Sequence, residues 1–326
     1  MKRKVLITLS LLVASVGAAS WWYVKARAAA VEFPADAFAL LPADSALVVY
    51  ADMAALRGEP LVQHLAAMAP AVQPNGDYAE FMAATGFQYE RDLDRIILAS
   101  SSAPTAQAPP AHFVAIADGR FDQTKIEAYA QRNGSMQQQD GHAVFTTPAA
   151  PGRTTAFTFL NAGRVAIGDS ADISALLAAR SAAAPDAALQ EQVSRVAGSP
   201  IFLVAKAQTI MPAASRATGF STPLNGLRWV NLAARPDGDK VLLSAEGSCD
   251  SPEQARQIAA TLELLRGLMR GMVADPKNLG GAPPEAAKAV SQMLQTAQIS
   301  SDATRVRLLV SMDTAVLGAA PVPAGR

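Results

Sequence analysis

Charge is absent from Val5 to Val24, and beyond Ala30 the chain turns to short apolar runs, helical stripes and turn residues. The uncharged stretch is 20 residues long. At about 1.5 Å per helical residue it spans roughly 30 Å, the hydrocarbon thickness of a bilayer. Lys2, Arg3 and Lys4 precede it, and Trp21, Trp22 and Tyr23 stand at its far end, where aromatic rings favour the headgroup region. Lys25 and Arg27 follow. This pattern predicts a single-pass transmembrane anchor within residues 1–30, with the N-terminus cytoplasmic and the body periplasmic at the inner membrane. The alternative is a signal peptide cut near Ala26-Arg27-Ala28, which leaves a soluble periplasmic body; the uncharged run exceeds the about 7–15 residues of a signal core.

Residues 31–40 read as a linker. Ala46–Ala51 is apolar throughout, which predicts a strand central to a sheet. Leu61, Leu65 and Met68 suggest a helix over 60–68, and a second over 78–85 closes at Gly86. Strands are expected at 95–100 and 112–117. Phe121 and Ile126 flank Asp122 as a staple around a helix start. Asp140-Gly141 and Asn161-Ala162-Gly163 mark two hairpins. Farther on, strands are expected at 201–206, 228–234 and 240–247. Ser251-Pro252-Glu253-Gln254 is a capping box opening a long helix. A helix over 285–298 and an alternating strand carrying Val306, Leu308, Val310 and Met312 complete the body, and 317–326 is a flexible tail.

LVVYAD, FVAIAD and RVAIGD share one grammar of buried strand, aspartate and helix start, and IFLVAK is a fourth copy with Lys206 in the aspartate position. The pattern predicts an α+β fold of duplicated strand-helix units, forming a largely antiparallel sheet or sheets with helices on one face. Ser181–Ala188 separates a first half, 41–180, from a second, 189–316.

Composition changes this picture in two ways. The formal charge of zero hides an asymmetry: without Lys2, Arg3, Lys4, Lys25 and Arg27, 23 basic residues face 28 acidic ones, a net of −5. An acidic body offers no electrostatic footprint for nucleic acid. A single cysteine, Cys249, excludes an internal disulfide.

Candidate chemistry is sparse. Asp52, Asp118 and Asp169 could gather at one sheet edge to hold a cation, or each could simply cap a helix. His64, His112 and His142 show no metal-ligand spacing, and no nucleotide or hydrolase motif appears, so no cofactor is expected. The long helix carries Ile258, Leu262, Leu265, Met269 and Met272, widened by Leu264, Leu268 and Val273. With Met293 of the next helix, this stripe is a candidate partner or ligand surface, or a cover for the sheet.

Three segments carry a resemblance: Leu41-Pro42-Ala43-Asp44-Ser45 running into the first strand, Thr85-Gly86-Phe87 before Asp92-Leu93-Asp94, and Gly119-Arg120-Phe121-Asp122. Over about Leu41–Leu177 the chain resembles uncharacterised, membrane-anchored bacterial envelope proteins of the domain-of-unknown-function kind. Gln88 departs from the aspartate expected there. The resemblance implies an envelope location and a duplicated α+β body, and supplies no catalytic residues. The leading expectation is a non-catalytic interaction or accessory module of the envelope with a protein partner. Alternatives are a binder of a hydrophobic ligand or lipid under the C-terminal helices, and a metal-assisted hydrolase using the strand-end aspartates.

Overall fold

The computed structural model describes residues 33–57, 59, 76–101, 112–150, 153–179, 186–210, 226–274 and 284–313. The expected anchor with Trp21, Trp22 and Tyr23, the helix at 60–68 and the tail lie outside these residues. Among the described residues no helix is long and apolar enough to cross a membrane.

Strands β1 (Leu47–Asp52), β2 (Leu93–Ser100), β3 (Phe113–Gly119), β4 (Ser135–Gln139), β5 (His142–Ala150), β6 (Arg153–Asn161), β7 (Arg164–Gly168), β8 (Ile201–Lys206), β9 (Leu227–Asp237), β10 (Lys240–Cys249), β11 (Gln298–Asp302) and β12 (Arg305–Asp313) join one antiparallel sheet. Its order is β11-β12-β10-β9-β8-β1-β2-β3-β7-β6-β5-β4. The four strands that share the repeated grammar, β1, β3, β7 and β8, are all interior. All four have neighbours on both edges; β3 and β7 are covered on both faces, whereas Ile201 of β8 is 39% exposed on the face away from the main core.

The order reads outward from a β1–β8 seam. On one side lie β1-β2-β3-β7-β6, on the other β8-β9-β10-β12-β11, so the strands of the two halves correspond in sequence order. The hairpin β4–β5 has no counterpart among the described residues of the second half.

The helices are α1 (Ala35–Phe38), α2 (Met53–Arg57), α3 (Gly76–Thr85), α4 (Tyr89–Asp92), α5 (Gln123–Asn133), α6 (Ser170–Ala179), α7 (Ala187–Val196), α8 (Pro252–Ala274) and α9 (Pro284–Thr296). They cover both faces of the sheet, which corrects the expectation of one covered face. Ile97, Ile116 and Ala166 point to the face beneath α1, α6 and α7, where Phe38, Ile173, Leu176, Leu189 and Val193 close the main core. Their strand neighbours Ala117 and Val165 point the other way, beneath α3 and α5, with Phe81 and Ile126. On that same side, α8 and α9 pack on β10–β12 through Ile258, Leu262 and Met293. Burying both faces keeps the consecutive apolar positions of β3 out of water.

The segment expected to be a linker is ordered from Phe33 and part of the core. Ala37 and Leu41 are buried, and the Phe33 ring packs edge-on to Phe38 and Tyr50 and lies 5.6 Å from Phe202. Three elements had no sequence expectation, α4, α7 and β11. The remaining turns follow their signals: Asp140 and Gly141 both take positive φ, and Ser251 and Gln254 form a reciprocal capping box.

Candidate functional site

The three strand-end aspartates are not brought together. Asp52, Arg95, Asp118 and Arg164 form one row across β1, β2, β3 and β7, alternating in charge. Two strand spacings, roughly 10 Å, separate Asp52 from Asp118, with Arg95 between them. Asp52 accepts the Ala55 amide and lies 3.6 Å from Arg95. The buried Tyr50 hydroxyl is 3.4 Å from the same carboxylate; burial, then the charge of Asp52, pushes the phenol up. Asp118 takes a two-pronged pair from Arg164 at 2.6 and 2.9 Å, and Arg164 also binds Asp36 of α1. Asp169 ends β7, which runs opposite to β1 and β3, so it lies at the other edge of the sheet. It caps α6 there by accepting the Asp172 amide. Sequence grammar aligned these residues; strand direction separates them.

The expected C-terminal surface is split by burial. Leu262 and Met293 pack against the sheet, and Leu265 and Met269 are half-buried. Leu264, Leu268 and Met272 form the outer stripe of α8 and are 64%, 57% and 54% exposed.

An apolar cavity of about 360 Å³, partly open to solvent, lies in the first half. Its floor is the sheet: Ile96, Ala117, Val165 and Phe159 form one cross-strand row, with Ile167 and Phe157 in the next. Its roof is Phe81 of α3, Phe87, Phe121, and Ile126, Tyr129 and Ala130 of α5. The rings brace one another: Phe87 stacks on Phe121 at 5.5 Å, and Phe81 meets Tyr129 edge-on at 5.4 Å. Among the described lining residues, only Thr147 and Tyr129 carry a side-chain hydroxyl. Such a surface recognises apolar shape.

A polar buckle outside the cavity holds this wall. Thr85 accepts the Phe87 amide, and Gly86 turns the chain with φ +75°. Asp92 accepts from Arg91 at 2.8 and 2.7 Å and from the Gln88 amide at 3.0 Å. The hydrogen-bonded Arg91 guanidinium brings its carboxyl down to about 2, against the opposing effect of burial. The Asp92 carbonyl accepts the Arg120 amide at 2.8 Å. A Cβ on Gly119 would come within 2.3 Å of that carbonyl, so β3 passes here only as glycine. Arg57 ties α2 to Asp94, Glu90 and Leu93. Thus the segments Thr85–Phe87, Asp92–Asp94 and Gly119–Asp122 meet, and Phe87, Leu93 and Phe121 project into the lining.

Sequence reasoning placed a ligand surface under the C-terminal helices and did not find this cavity. One signal was present: seven of the 11 phenylalanines lie between residues 81 and 159 of an alanine-rich chain.

No family model and no curated protein matches the chain. Among solved structures it is similar to TP0453 in several crystal forms. Form I matches with a TM-score of 0.45 and 10% identity over 89% of this chain and 96% of that one. Form IV gives 0.47 and 11% over 90% and 97%, and form III gives 0.47 and 12% over 89% and 97%.

Proposed function

We propose that this chain binds a hydrophobic ligand, such as a lipid acyl chain, in the cavity between α3, α5 and the sheet. We read residues 1–30 as an anchor holding the body on the periplasmic side of an inner membrane, and its halves as copies of one unit. The cavity is the observation that carries the ligand reading. Interiors hold few voids larger than a water molecule. The partly open cavity of about 360 Å³ leaves its apolar lining without packing partners on one side. That volume equals about a dozen water-sized units of roughly 30 Å³, enough for much of one acyl chain. An apolar occupant restores the missing contacts.

The test is full-length protein taken from gently solubilised membranes, with bound lipid identified by mass spectrometry and re-binding measured with a fluorescent fatty acid. Ala117 is buried on the cavity floor, so Ala117→Phe fills the space from a fixed strand. The variant is expected to lose co-purified lipid and weaken probe binding by about tenfold or more, the equivalent of about 1.4 kcal/mol. Wild-type protein without lipid or probe binding, or a variant binding as well as wild type, would overturn the reading.

An envelope interaction module is the second reading, favoured by the exposed Leu264, Leu268 and Met272 stripe. Leu268→Asp should then abolish capture of a partner protein while leaving probe binding intact.

A further inference from the structure

At the sheet edge opposite the charged row, the start of β3 meets the start of α6. His112 directly precedes β3. Asp169 and Asp172 lie at the cap and third position of α6. Each carboxylate is fixed through one oxygen by a backbone amide. Asp169 Oδ1 accepts from Asp172 at 2.9 Å, and Asp172 Oδ2 accepts from Phe113 at 3.1 Å. The other two oxygens face the imidazole: His112 Nδ1 lies 3.4 Å from Asp169 Oδ2 and 3.5 Å from Asp172 Oδ1. The cluster offers three ligand atoms that all lie within 4.8 Å of one another.

The two imidazole–carboxylate separations, 3.4 and 3.5 Å, are close to those around one cation. Tetrahedral zinc with bonds of about 2.0–2.1 Å holds its ligand atoms about 3.3–3.4 Å apart. The donor set points the same way. An imidazole beside two carboxylates suits a first-row divalent transition cation, whereas calcium and magnesium sites are built from oxygen alone. The amides that grip the outer oxygens orient the inner ones, the role that outer partners play around metal ligands. The positive end of α6 opposes a cation, so the site depends on the imidazole as well as on the acids.

We propose that His112 Nδ1, Asp169 Oδ2 and Asp172 Oδ1 form a three-ligand site for a zinc-type divalent cation, clamping the start of β3 to α6. This site is about a strand's length from the charged row and does not depend on the ligand reading. The test is titration of the purified, chelator-treated full-length protein with Zn²⁺ alone, followed by calorimetry and thermal unfolding. His112 is 63% exposed and caps nothing, so His112→Ala should leave the metal-free Tm unchanged. Asp169→Asn keeps a capping oxygen and removes the charge. Wild-type protein is expected to bind one equivalent that both variants lose, and its Tm is expected to rise about 5 °C at a hundredfold excess over Kd. No saturable equivalent in wild type, or an undiminished one in His112→Ala, overturns the proposal.

Discussion

Asp92 shows how one side chain serves an apolar site without touching it. Its carboxylate and carbonyl hold Arg91, Gln88 and Arg120, and those bonds set the stacked pair Phe87 and Phe121. With its folded value lowered to about 2 from 3.8, the carboxylate stabilises the fold above the unfolded value. That contribution is lost as pH falls from about 4 through 2. After solvent screening it is on the order of 1–2 kcal/mol. Wild type and Asp92→Asn should therefore differ in urea midpoint at pH 6 and converge near pH 2; an equal gap at both would refute the assignment. The site was only partly legible at this scale. The residues of the buckle stood out in the sequence, but nothing in their spacing showed that a carbonyl of one segment closes on a glycine of another 27 positions away.

Among the elements, the lead segment from Phe33 to Leu41 is the one whose role changed most between sequence and structure. Its composition reads as a tether, yet it is a strap held by aromatic packing of Phe33 and Phe38 and, between them, by Asp36–Arg164. Arg164 serves two carboxylates of unequal exposure, Asp118 at 19% and Asp36 at 72%. Arg164→Met leaves Asp118 without this pair and should cost about 2–4 kcal/mol. Asp36→Asn breaks an exposed pair and should cost under about 1 kcal/mol. Chemical denaturation of the two variants checks the ranking, and equal losses would show that the strap carries the ion pair's stability. Strands, hairpins and the capping box were legible because their signals are local. The order of the sheet was not, because pairing between β1 and β8 joins residues about 150 positions apart.

At the scale of the whole molecule, the β1–β8 seam makes the halves one sheet. Leu47 to Ala51 pair with Ala205 to Ile201, and Val48, Tyr50, Phe202 and Val204 from both sides are fully or almost fully buried. The halves should therefore unfold in one transition, with the amides of these four residues exchanging slowest. Two resolved transitions, or faster exchange at the seam than in β10–β12, would show that each half folds alone. Among the described residues the halves differ after their third strands: α8 is followed by α9, whereas α5 passes into the hairpin β4–β5. Thr147 of that hairpin lines the cavity, and β4, at the edge, pairs only with β5. The hollow half can thus change at its rim without disturbing the seam. Lengthening or trimming that one peripheral hairpin would resize the chamber while leaving the shared scaffold untouched.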